Sequence, residues 1–151
     1  MQMLSARQRA DLLVTSEDGQ PQLVVETKRK PGDTAALVAA AHAQFKSLAQ
    51  SCFFLLVTPD KFWLWAPSAE APAYEGNTAA LLERYINLDK IPLNSLEGRE
   101  FVLVVYSWLG SVIFKPADVL SKLPAQRWLV DTGLHPLIYR GYIQLEAELT
   151  P

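Results

Sequence analysis

The sequence predicts one α/β domain with a mixed central β-sheet flanked by helices and a helical extension in its C-terminal part. Two short apolar runs are joined by an Asp-Gly pair, an alanine-rich segment follows, and a continuous apolar run of strand length comes next. With 151 residues, half of them hydrophobic, the chain can bury one core but not two. We therefore expect residues 1–151 to form a single domain, with its core near residues 7–66 and the extension near residues 77–151.

The first two strands are predicted to form a hairpin. Residues 10–15 (ADLLVT) and residues 22–28 (QLVVETK) are both rich in leucine and valine. The Asp18-Gly19 pair between them is a strong turn signal, because glycine accepts the positive φ that tight hairpin turns require. Proline and glycine at positions 31 and 32 end the second strand.

A helix and two further strands follow. Asp33 is a good N-cap, and the alanine-rich segment at residues 35–50 has larger apolar residues at helical spacing. Residues 52–58 (CFFLLVT) are apolar almost throughout, which is typical of a central strand covered on both faces. Residues 61–66 (KFWLWA), after a two-residue turn, are predicted to be its antiparallel neighbour.

The second half is predicted to be mainly helical. Residues 67–76 are interpreted as a loop, residues 78–85 and 97–115 as helices, and residues 116–123 and 137–149 as two more short helices. A β-branched cluster at residues 102–105 is also compatible with a strand in that segment. The longest apolar run, residues 101–114, is too short for the roughly 18 residues of a membrane span, so we expect a buried helix or an oligomer contact.

Charge and cysteine content restrict the function classes. The net charge of −2 gives no general attraction to nucleic acid, so any such contact must be local. Residues 68–151 hold 7 basic against 10 acidic residues, and the basic residues of interest cluster before residue 31. Cys52 is the only cysteine, which excludes an internal disulfide, argues against thiolate metal sites and fits a reducing cytoplasm. The first residues have no signal-peptide pattern.

The end of the second predicted strand carries charges that suggest chemistry. Side chains alternate along a strand, so Glu26 and Lys28 share one face, while Asp11 on the preceding strand can lie opposite that end. Two carboxylates and the backbone carbonyl of Thr27 suit a hard cation such as Mg²⁺. The ammonium of Lys28 could then orient the attacking water and offset negative charge on a phosphoryl group.

The order RADLLV, turn, LVVETKRK, alanine-rich helix and CFFLLVTPDKFWLW resembles the PD-(D/E)XK nuclease superfamily, and more closely the N-terminal nuclease domain of type I restriction enzyme R subunits. The resemblance covers about residues 7–66. It implies a restriction-endonuclease-like fold and a DNA-cleaving hydrolase that uses Mg²⁺ or Mn²⁺. By this resemblance Asp11 and Glu26 bind the metal, Lys28 assists catalysis, and Gln44 on the helix lies near the site.

Basic residues beside this site are expected to hold phosphates of the DNA: Arg29, Lys30 and Arg9. Proteins of the family usually have a helix with an acidic residue ahead of the first strand, where this sequence has only the short segment at residues 1–8. That helix is expected either to be missing or to come from the second half, from a second copy in a homo-oligomer or from a partner protein.

Two other functions stay open. The fold could serve as an inactive module for nucleic-acid binding or protein assembly, which the acidic second half and the apolar run at residues 101–114 favour. It could also hydrolyse small nucleotides. His42 and His135 have no second histidine at ligand spacing, so zinc is not expected.

Overall fold

The computed structural model describes residues 8–28, 35–45 and 50–149. Six strands form one sheet. They are β1 (Gln8–Thr15), β2 (Pro21–Thr27), β3 (Phe53–Val57), β4 (Lys61–Trp65), β5 (Tyr74–Asn77) and β6 (Tyr142–Leu149). The helices are α1 (Ala35–Gln44), α2 (Thr78–Leu82), α3 (Gly98–Val112), α4 (Ala117–Leu120), α5 (Trp128–Asp131) and α6 (His135–Ile138), with a 3-10 turn at Leu93–Ser95.

The sheet is mixed, and its strand order is β5-β4-β3-β2-β1-β6. β2 and β3 are parallel, and every other neighbouring pair is antiparallel. The helix α1 lies in the connection between the two parallel strands, as parallel pairing requires a crossover. The predicted α/β class and mixed sheet are confirmed, and so is the order strand, strand, helix, strand, strand.

The hairpin of β1 and β2 forms where the Asp-Gly pair predicts it. Gly19 has a φ of 87° and donates its N–H to the carbonyl of Ser16 at 2.9 Å. The strands then pair in antiparallel register, with Leu13 opposite Val24. This register determines which side chains of the two strands reach the end of the hairpin distant from the turn.

The central strand β3 is buried along its whole length, as predicted. Phe54 and Leu56 pack on one face of the sheet with Phe45, the residue that follows α1. The larger cluster covers the opposite face, where Leu55 and the α3 residue Val105 belong to the same core. Both faces of the sheet are therefore covered by helical segments.

The helix α3 crosses the face of β1, β2 and β6. It begins with a capping box, in which the side chains of Glu97 and Glu100 each accept a hydrogen bond from the other residue's backbone N–H. Its buried residues recur at helical spacing and include Phe101 and Trp108. The alternative of a strand at residues 102–105 is therefore wrong. No helix in the described ranges is long and apolar enough to cross a membrane.

The predicted helical extension is wrong at two places, because the second half supplies both edge strands. Within the predicted loop at residues 67–76, the strand β5 begins and pairs with β4. Gly76 permits this pairing, since a Cβ there would lie 2.7 Å from the Phe62 ring. Residues 142–149, predicted as helix, form β6 and pair with β1. Alternation of Ile143 and Leu145 with polar neighbours is a strand pattern that the helical interpretation missed.

Candidate functional site

The candidate site lies where β1 and β2 separate. The last residues paired between the two strands at this end are Leu12 and Val25. One residue beyond this pair, β2 is bonded to the side chain of Asp11 instead of to the backbone of β1. Its Oδ2 accepts hydrogen bonds from the backbone N–H and from the hydroxyl of Thr27, both at 2.8 Å. The Asp11 carboxylate is thereby held against the C-terminal end of β2.

The side chains of Glu26 and Lys28 meet at the same end of the sheet. Lys28 Nζ lies 3.5 Å from Glu26 Oε2, and the Lys28 backbone N–H donates to the carbonyl of Val57 on β3. Glu26 is only 7% exposed. Within the described residues, its second oxygen, Oε1, is buried and has no hydrogen-bond partner. A buried carboxylate oxygen left open in this way is uncommon, because it loses hydration without compensation.

The surroundings raise the pKa of Glu26 from 4.5 to about 7. Burial is the largest cause, and the negative charge and side-chain hydrogen bonding of Asp11 act in the same direction. The Lys28 ammonium opposes them and lowers the pKa. Asp11 and Glu26 therefore interact directly, and near neutral pH the protonated and ionised forms of the Glu26 carboxyl are both populated.

These residues fit a hard divalent cation. The open Oε1 of Glu26, the carboxylate of Asp11 and the backbone carbonyl of Thr27 are oxygen donors of the kind that Mg²⁺ prefers. The described residues contain no group of three or more His, Cys, Asp or Glu side chains arranged for a metal. Two carboxylates still suffice for Mg²⁺, because this ion retains several of its own waters.

A cavity of about 310 Å³ opens beside the Asp11 carboxylate. Asp11 and Thr27 form one wall, and α3 and β6 form the others through residues that include Arg99 and Glu146. Arg99 Nη1 and Glu146 Oε1 form an ion pair at 3.0 Å. The helix beside the site is thus α3, from the second half of the same chain.

Sequence reasoning missed Arg99 and Glu146. They are 47 positions apart, and no local motif connects them. Recognition of β6 as a strand would have been the one available signal, because it would have offered Glu146 as a neighbour of a first-half strand. The backbone of Glu146 has a positive φ of 50°, which a sequence pattern does not reveal.

The remaining predicted site residues lie on α1, on β1 or outside the described ranges. Gln44 is exposed at the C-terminal end of α1. Arg9 is exposed on β1, where its register partner is Glu148 on β6. Arg29 and Lys30 lie outside the described residues. Their roles, and the metal and catalytic roles of Asp11, Glu26, Thr27 and Lys28, stay predictions.

Comparison of the chain with protein-family models, with curated proteins and with solved structures gives no match. The case for a function therefore depends on the site. Its chemistry combines two interacting carboxylates, an ammonium group and an adjoining cavity at one end of the sheet.

Proposed function

We propose that this protein is a Mg²⁺-dependent nuclease of restriction-endonuclease type that hydrolyses phosphodiester bonds of DNA. One observation supports the proposal most: Glu26, whose side chain interacts with the Asp11 carboxylate and the Lys28 ammonium, has a buried oxygen with no hydrogen-bond partner among the described residues. A cation bound between the two carboxylates would compensate both their mutual repulsion and the lost hydration. Phosphodiester hydrolysis is the chemistry that such a group of residues serves best.

Each residue of the site then has a defined task. Asp11, Glu26 and the carbonyl of Thr27 would hold the cation, which supplies Lewis-acid stabilisation of the phosphoryl oxygens when bound. Thr27 also holds Asp11 in position through its two hydrogen bonds. Lys28 is partly exposed, so its ammonium can orient a water molecule and stabilise the negative charge that develops on the phosphoryl group.

The proton on Glu26 makes metal binding depend on pH. A carboxyl group must lose its proton before it coordinates a cation. Because the pKa of Glu26 is raised to about 7, the apparent affinity for Mg²⁺ should increase as the pH rises from about 5 through 7 and level off at about pH 8, where the carboxyl is almost fully ionised. Bound cation should in turn lower this pKa.

A nuclease assay with Mn²⁺ or Mg²⁺ tests the proposal. Purified wild-type protein should cleave DNA, and Lys28→Ala should lose about 100-fold or more in rate, because a group that stabilises the transition state is removed. Lys122→Ala, which removes an exposed lysine from another part of the chain, serves as the matched control and should cleave normally. Equal cleavage by wild type and Lys28→Ala would rule out catalysis at this site.

An inactive nuclease-fold module for nucleic-acid binding or assembly is the second candidate. One observation favours it: Asp11 already accepts two hydrogen bonds and Lys28 already pairs with Glu26, so much of the site is satisfied without a cation. Titration with Mn²⁺ separates the two functions. The module need not bind Mn²⁺, whereas the nuclease must, and Glu26→Gln must weaken that binding. Turnover of mononucleotides without DNA cleavage would instead indicate a small-nucleotide hydrolase.

A further inference from the structure

We propose that the cavity beside Asp11 accepts one nucleotide unit of the substrate strand. Arg99 binds the phosphate of this nucleotide after releasing Glu146. The inference rests on the proposed function, since it places the substrate strand beside Asp11, one of the two carboxylates proposed to hold the cation. It assigns a substrate contact to α3 and β6, two elements outside the part of the chain that resembles a nuclease.

The position of Arg99 is the first argument. Its guanidinium lies at a wall of the cavity that Asp11 and Thr27 also line, so a phosphate bound there would lie next to the proposed cation site. A guanidinium binds phosphate through two parallel N–H···O bonds, which an arginine offers better than a lysine. The cavity thus places a phosphate ligand beside Asp11 and Thr27, two of the residues proposed to hold the cation.

The present partner of Arg99 is the second argument. Glu146 holds the guanidinium through an ion pair whose two side chains are 69% and 60% exposed. Ion pairs this exposed contribute little to stability, because water screens them. A doubly hydrogen-bonded phosphate can therefore displace the Glu146 carboxylate. In the absence of a phosphate, the Glu146 carboxylate remains paired with the guanidinium and repels a negatively charged strand.

The backbone at Glu146 is the third argument. Its φ of 50° is rare for a residue other than glycine, asparagine or aspartate. The pairing of β1 with β6 registers Ala10 with Ala147 and Leu12 with Leu145, so Glu146 lies between these pairs at the level of Asp11. The unusual backbone thus occurs at the point of β6 closest in register to the acidic site.

The size and walls of the cavity indicate the ligand. Its volume of about 310 Å³ is at the lower end of the roughly 300–1,000 Å³ of small-ligand pockets, which suits one nucleotide rather than a length of duplex. Val102, Leu103 and Leu145 supply an apolar wall for a sugar or base, while Arg99 supplies a cationic group for the phosphate. A single-stranded or locally opened strand is therefore the expected substrate form.

Binding of a fluorescent single-stranded oligodeoxythymidylate, measured by anisotropy in EDTA, tests the inference. Glu146→Gln should bind about fivefold more tightly, because it releases the guanidinium, and Arg99→Ala should bind about tenfold more weakly. In the double variant, Glu146→Gln should bring a smaller gain than in wild type, since the guanidinium that it releases is gone and only the repulsion by the carboxylate is removed.

A second exposed ion pair provides the matched control. Arg127 and Asp131 lie 3.2 Å apart, their side chains are 63% and 57% exposed, and neither lines the cavity. Asp131→Asn and Arg127→Ala make the same charge changes and should alter affinity less than twofold. If Glu146→Gln matches Asp131→Asn, or Arg99→Ala matches Arg127→Ala, the inference is wrong.

The measurement also separates this inference from the proposed function, because EDTA removes any need for metal or cleavage. Wild-type cleavage that depends on Lys28, combined with no difference between the two ion pairs, would overturn only the role of Arg99 and Glu146. A difference between the ion pairs without any Lys28-dependent cleavage would overturn the nuclease and leave a nucleotide-binding cavity.

Discussion

Glu26 and Gln126 are buried to nearly the same extent, at 7% and 5% exposure, yet their surroundings differ completely. Gln126 Oε1 accepts a hydrogen bond from Trp108 Nε1 at 2.7 Å, and its Nε2 donates to the carbonyl of Leu81 at 3.1 Å. Glu26 has one oxygen 3.5 Å from an ammonium and one with no partner in the described part of the chain.

This difference distinguishes a structural polar residue from a candidate functional one. Gln126 connects α2 and α3 and uses both ends of its amide, so nothing about it calls for a ligand. Glu26 loses hydration, lies near another carboxylate and keeps an open acceptor, which reduces stability unless something binds there. Burial alone does not separate the two residues, whereas a hydrogen-bond inventory does.

The largest expected effect is on Gln126. Gln126→Leu should lower the free energy of unfolding by about 4 kcal/mol, because it leaves the indole N–H of Trp108 and the Leu81 carbonyl buried without partners, at about 1–3 kcal/mol each. Urea unfolding followed by tryptophan fluorescence measures this change. The same substitution at the exposed Gln144 is the control and should change stability little. A loss below 1 kcal/mol would mean that the two hydrogen bonds of Gln126 contribute little to stability.

Glu26→Gln should have a smaller effect on the free energy of unfolding, and this effect should depend on pH. The folded-state pKa of Glu26 is raised above its ordinary value, so its contribution is most favourable below pH 4.5 and is lost as the pH rises to about 7. The stability of wild type relative to Glu26→Gln should fall by up to about 3 kcal/mol over that interval and stay constant above it. Unfolding measured from pH 4 to 8 gives this difference, and a pH-independent result would contradict it.

Asp11→Asn is expected to have the smallest effect on stability, within about 1 kcal/mol at pH 8. The variant weakens the charge-assisted hydrogen bonds from Thr27 but also removes the repulsion between the two carboxylates, and these effects oppose each other. The pKa of Glu26 should fall below 7, which carbon-detected NMR titration of its carboxyl group can follow. An unchanged pKa would mean that the Asp11 charge does not act on Glu26.

Local signals predicted the hairpin and the central strands because the causes are local. Gly19 adopts the backbone conformation that the Asp-Gly pair requires, and the strand β3 is apolar because helical segments cover both of its faces. Alternation along β2 and the hairpin register also led to the expectation that Asp11, Glu26 and Lys28 lie at one end of the sheet, and the structure brings them together there.

Sequence patterns do not reveal features that depend on contacts between residues far apart in the chain. The four residues of β5 carry no apolar pattern, and their pairing with β4 depends on Phe62 fitting against Gly76. The ion pair of Arg99 with Glu146 joins two elements that become neighbours only after α3 and β6 pack beside β1. The open oxygen of Glu26 is likewise a property of the packed molecule, because it depends on which partners are absent.

The strand β6 has a consequence for the order in which the molecule assembles. During synthesis, β1 can pair with β2 as soon as the hairpin has left the ribosome. The other edge of β1 can pair only after residues 142–149 have been synthesised, more than a hundred residues later. Contacts of such sequence separation form slowly. A nascent chain can therefore possess Asp11 and Glu26 while still lacking the wall that Leu145 and Glu146 provide, so the cavity is among the last parts of the fold to be completed.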